Sequence, residues 1–192
     1  GDDFNVNGQN GQDLVKPYML LATSCDKTMA TTGQLTSVRV VCNNTLQLAL
    51  GKGGKASVKV PHSTKFNPDE VKRQMGLVHG AIEKHQGNMQ KIHRMKMSEE
   101  GAMRFFLELL KTPEEKKTGE VDLESKTRSM GKIWTSYTEA PGAEATAWGL
   151  VNAITHSVDF NPSARSDSSR LNSAWFGQGA GMKQKAYELA LD

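Results

Sequence analysis

Cys42 precedes Asn43, Asn44 and Thr45. If those residues open a short helix, its dipole would favour the thiolate of Cys42. A cysteine nucleophile also needs a base and a group that holds the oxyanion. The nearest histidine in sequence is His62, and no pattern brings it to Cys42. His79, His85 and His93 fall on one helical stretch. His85 and His93 stand eight residues apart, about 12 Å along a helix axis, too far to share one metal ion. There is no Glu-paired His-x-x-x-His and no Cys-x-x-Cys, so neither common zinc pattern is present. Gly51-Lys52-Gly53-Gly54-Lys55 suggests a phosphate loop, but Ala49 and Ala56 occupy positions where that motif needs Gly and Ser or Thr. Gly177-Gln178-Gly179-Ala180-Gly181 precedes Lys183 and Lys185. Such glycines either offer amides to an anion or let helices pack closely. Trp134, Trp148, Trp175 and Tyr137 fall on expected helices, where aromatic residues fill cores more often than they stack on bases. No catalytic set assembles, so a non-enzyme without cofactor or metal is expected.

The elements that would carry these residues follow from periodicity. Residues 15–24 alternate in direction with both faces largely apolar, as in a strand inside a sheet. A polar link leads to a second strand at 28–41, giving a hairpin. A short helix capped by Asn43 or Asn44 is expected to end at Leu50. Residues 55–60 read as a third strand, with Ala56, Val58 and Val60 inward and Lys55, Ser57 and Lys59 outward. Asn67-Pro68 starts a helix reaching about residue 97, whose apolar stripe is Val71, Met75, Val78, Ile82, His85, Met89 and Ile92. Further helices are expected at 98–111, 123–137, 143–158 and 170–191. An exposed link at 112–119 and a mobile loop at 161–169 separate them. The fold class is α+β: a small antiparallel sheet packed on a long helix, with a helical C-terminal half. Residues 1–14 read as a flexible lead. Residues 15–192 read as one domain.

The chain's net charge is +3. From Lys52 to Lys96 ten Lys/Arg face three Asp/Glu, a surplus of seven, which leaves −4 for the rest. Charge concentrated in this way points to a polyanionic partner. The apolar runs are too short to span a bilayer, so no membrane partner is expected. Two cysteines, Cys25 and Cys42, are too few for a disulfide-framed secreted domain and suit a reducing compartment.

Lys16-Pro17-Tyr18-Met19-Leu20-Leu21, the block Ser37-Val38-Arg39-Val40-Val41-Cys42-Asn43-Asn44-Thr45-Leu46, Trp148-Gly149-Leu150-Val151-Asn152-Ala153, and Ala174-Trp175-Phe176-Gly177 with Lys183-Gln184-Lys185-Ala186 occur in this order. In order and character they resemble the phage- and plasmid-like family called domain of unknown function 932. The resemblance spans most of the chain. It implies a mobile-element setting in a bacterial cytoplasm and no mechanism, and, since such proteins usually carry a further N-terminal region, that 15–192 is the C-terminal part of a longer protein.

A three-stranded sheet backed by one helix also looks like the core of single-strand annealing proteins. The expected function is therefore single-stranded DNA binding and annealing by a homo-oligomer. Arg39, Lys52, Lys55 and Lys59 are expected to line a groove on the sheet, and Lys84, Lys91 and Arg94 a second patch on the long helix. The alternative is a protein-interaction or anti-defence module that binds no nucleic acid.

Overall fold

A computed structural model describes residues 4–5, 14–22, 31–39, 44–47, 57–60, 68–160, 173–175 and 177–192. The fold is α+β, with a small antiparallel sheet followed by helices. The expected hairpin is formed by β2 (Leu14–Ala22) and β3 (Thr31–Arg39), in register from Val15↔Arg39 to Ala22↔Thr32. Thr31, Thr32, Thr36 and Val38 give β3 the β-branched side chains that suit a pleated strand. The short β1 (Phe4–Asn5) adds to the outer edge of β2.

The other edge of β3 corrects an expectation. Residues 44–47 are not part of a helix capped by Asn43 or Asn44. They form β4 (Asn44–Gln47), paired with β3 from Thr36↔Gln47 to Arg39↔Asn44. A helix that short gains too few bonds to offset its nucleation, whereas the edge of β3 offers ready partners. β5 (Ser57–Val60) pairs with the same edge of β3, from Gln34↔Ser57 to Thr31↔Val60. β4 and β5 therefore run in line as two pieces of one edge strand. Nine residues, 48–56, separate β4 from β5 in sequence, while on β3 only Leu35 separates their partners.

The helices are α1 (Pro68–Arg94), α2 (Glu99–Leu110), α3 (Pro113–Thr118), α4 (Leu123–Glu139), α5 (Ala147–Phe160) and α6 (Gln178–Leu191). α2 opens where Ser98 Oγ accepts from Gly101 N–H at 3.1 Å, and α4 where Asp122 accepts from Ser125 N–H at 3.2 Å. The expected link at 112–119 is a helix. Thr112 and Glu115 form a reciprocal capping box, Pro113 takes the first turn, and Gly119 ends α3 at φ 79°. α5 begins later than expected, where Thr146 Oγ1 accepts from Gly149 N–H at 3.0 Å. The expected loop at 161–169 lies outside the described residues.

On α1 the apolar stripe continues as expected through half-buried Ile82 to buried His85, Met89 and Ile92. The side chains of Val71, Met75 and Val78 lie outside the described residues. Met89 and Ile92 pack with Val15, Trp148, Val151 and Tyr187. The sheet does not rest on α1 alone, because α5 and α6 also pack against β4. A second core joins Phe106 and Leu109 of α2, Ile133 and Tyr137 of α4, Leu150 and Ile154 of α5 and Ala186 of α6. A two-residue bridge, Lys96↔Thr146, ties the chain after α1 to the start of α5. No helix among the described residues is long and apolar enough to cross a membrane.

Candidate nucleic-acid interface

Gly80, Lys84, Gly87, Lys91 and Arg94 are all exposed. Their spacings of 4, 3, 4 and 3 place them in one stripe on α1, turned away from His85, Met89 and Ile92. Lys84 to Arg94 covers about 15 Å of helix axis. A Cβ added at Gly80 or Gly87 would meet nothing within 4 Å, so the surface between the cations is low and open. Glu83 is the sole acid from residue 80 to 96, against four Lys/Arg. Lys91 Nζ donates to the Leu191 carbonyl at 3.1 Å, which fixes the ammonium and leaves it two further protons. The structure thus brings together Lys84, Lys91 and Arg94 of the expected patch.

The expected sheet groove does not assemble with Arg39. Along β3 alternate residues face opposite sides. Arg39 pairs with Val15 of β2, and both are buried. Arg39 is 4% exposed. Its Nη1 donates to the Gly142 carbonyl at 3.1 Å, and its guanidinium lies 5.6 Å from the centre of the Trp148 ring. Lys52 and Lys55 lie outside the described residues, as do Cys25, Cys42 and His62. The side chains of Lys59 and His79 are also outside them.

The helix-facing side of β3 is polar and bonded. Ser37 Oγ lies 3.2 Å from Nε2 of His85, and the Tyr187 hydroxyl lies 2.8 Å from Nδ1. With the tyrosine donating to Nδ1, Nε2–H donates to the serine. Burial lowers the His85 pKa to about 3 and raises that of Tyr187. This arrangement links β3, α1 and α6 through a neutral imidazole. The sequence marked His85 as one of the stripe residues, but nothing in it identified Ser37 or Tyr187 as partners.

The lysines after the glycine run are taken up by partners within the chain. Lys183 Nζ donates to Asp159 at 2.8 Å in the interior, where burial lowers its pKa against the pull of Asp159. Lys185 Nζ donates to the Leu109 carbonyl. A Cβ on Gly179 would stand 2.7 Å from Val158 Cγ1 and 3.0 Å from the Ser173 carbonyl, so this glycine serves close packing of α6 on α5. Trp148 is buried and Trp134 packs 5.6 Å from Tyr137, as expected of core aromatics. His93 Nδ1 lies 3.1 Å from buried Glu144. Among the described residues no three His, Cys, Asp or Glu side chains gather around a possible metal position.

These features define an α+β protein with a cationic helix face over a core stitched by buried polar contacts. The chain belongs to the family described as Domain of unknown function (DUF932), whose family model matches residues 2–175. No curated protein and no solved structure matches the chain. The likeness to single-strand annealing proteins suggested by the order of strands and helix therefore has no support from a known structure. α6 lies beyond the matched residues, yet Ala186, Tyr187 and Ala190 fill the core.

Proposed function

We propose that this chain binds single-stranded DNA along its phosphate backbone and brings complementary strands together as a homo-oligomer, in recombination or replication, without covalent chemistry. The observation that carries the reading is the exposed stripe of Lys84, Lys91 and Arg94, with Gly87 between them and Gly80 a turn before. One row of cations suits one row of phosphates, and side-chain-free helix surface lets a backbone approach. Lys52 and Lys55 fall in the nine residues between the two halves of the edge strand, and these add charge to the same segment of sequence.

Affinity of this kind comes from counterion release, so its salt dependence counts the contacts. Fluorescence anisotropy of a labelled single strand and its duplex, at several salt concentrations, tests the reading. The variant Lys84→Gln/Lys91→Gln/Arg94→Gln should lower the log-log salt slope by about 2, at roughly 0.7 per contact. Lys52→Ala/Lys55→Ala/Lys59→Ala should act in the same direction, and both should weaken binding alike across sequences. Strand pairing is read separately, by quenching between complementary labelled strands. Wild-type protein with no affinity for single strands would overturn the proposal and leave the face to a protein partner.

A further inference from the structure

α1 takes no part in a cleft at the other end of the helices. The end of α2, the middle of α4, the end of α5 and the start of α6 line an open cleft of about 340 Å3 there. That volume lies within the roughly 300–1,000 Å3 of small-molecule sites, which favour gaps between helices. The floor is apolar. Ile133 is buried, and Leu110, Val158 and Met182 pack against the same core. The polar lining is Lys132, Ser129, Ser157, Ser173 and Gln178. Lys132 is half-buried, and among the described residues no acidic side chain pairs with it. The contrast with Lys183 is informative: the lysine with a structural task on these helices has its carboxylate at 2.8 Å.

The geometry points to a binding site for a small molecule with an apolar body and a single anionic head, the body on Ile133, Val158 and Met182 and the head on Lys132 and the serine hydroxyls. An ammonium at the edge of an apolar floor attracts an anion more strongly than one in open water, because less solvent screens it. The inference is independent of DNA binding, since no residue of the α1 stripe lines the cleft.

Anilinonaphthalene sulfonate has this chemistry and brightens in apolar surroundings, so it serves as the probe. Wild type should bind it at one saturable site. Lys132→Met should weaken binding about tenfold, equivalent to about 1.4 kcal/mol, and Lys132→Arg should retain it. Ser157→Trp should abolish it by filling the space. Lys117→Met, the same charge change at an exposed position of α3, should have no effect. Octanoate should displace the dye and inorganic phosphate should not, because body and head are both required. Near-ultraviolet dichroism of each variant reports whether it is folded. Equal dye affinity in folded Lys132→Met and Lys117→Met would overturn the inference, and so would displacement by phosphate but not by octanoate.

Discussion

The guanidinium of Arg39 is held by the Gly142 carbonyl and the Trp148 ring. Truncation to alanine would leave that carbonyl without its donor and remove the contact with the ring. Arg39→Ala should therefore cost about 3 kcal/mol in urea unfolding, whereas exposed Lys84→Ala should stay within about 0.5 kcal/mol. Equal effects would show that Arg39 is a surface residue after all. The same strand explains why its site was misread from sequence. Ser37 and Arg39 alternate with Val38, and alternation alone shows that two faces differ without showing which one is covered. The polar row faces the helices because His85, Gly142 and Trp148 supply its partners, and those lie far away in sequence. His85 gives the interior a pH signature. The unfolded chain takes up this proton below about 6.5, the folded protein only near 3. Between those values the unfolded state binds more protons, so stability falls as pH is lowered across that window. His85→Phe should flatten the corresponding part of the stability–pH curve, whatever it does to absolute stability. An unchanged curve would show that the imidazole is not buried and neutral. Two glycines give opposite forecasts. A Cβ at Gly149 would stand 1.9 Å from the Glu144 carbonyl oxygen, so Gly149→Ala should lower the melting temperature by many degrees or prevent folding. Gly87 has open space around it, and Gly87→Ala should stabilise by about 0.5–1 kcal/mol.

At the scale of elements, strong periodicity was legible and short pieces were not. The stripe of α1 from Ile82 to Ile92, the helices α2 and α4 and the β2–β3 hairpin all rest on local signals, and each stands where the sequence placed it within a few residues. α3 was missed although its capping box, proline and terminal glycine were all in view, because six residues show no apolar period. β4 was missed because four residues become a strand only when an edge lies beside them. That edge allows a direct test of the 48–56 segment. Joining Gln47 to Ser57 through a single residue would make β4 and β5 one continuous strand along β3, with one residue opposite Leu35. The shortened chain should fold with a thermal midpoint close to that of the full chain. Under the DNA-binding proposal it should also show a salt slope lower by about 1.4, for Lys52 and Lys55 together. Failure to fold would show that β4 and β5 are not collinear. An unchanged slope in a folded variant would remove those lysines from the interface while leaving the α1 stripe in place.

For the molecule as a whole, the sequence yielded the class, a small antiparallel sheet with helices after it, but not the way the ends close on each other. Helical stripes say that α5 and α6 must bury a face. They do not say that both reach β4, or that Tyr187 completes a contact begun by Ser37. The His85 relay spans 48 residues to one partner and 102 to the other. Contacts of such high sequence separation must bear their loop-closure entropy before they return any stability, which slows folding. A chain ending at residue 175 would keep all the matched family residues but lose Ala186, Tyr187 and Ala190 from the core. It should show helical far-ultraviolet dichroism without a fixed near-ultraviolet signal, and cooperative unfolding of that fragment would show α6 to be dispensable. During synthesis this topology imposes an order. The sheet is translated before α5 and α6, the helices that pack against β4. Until α6 has emerged, the core that Ala186, Tyr187 and Ala190 fill stays open, and chaperones would have that apolar surface to hold.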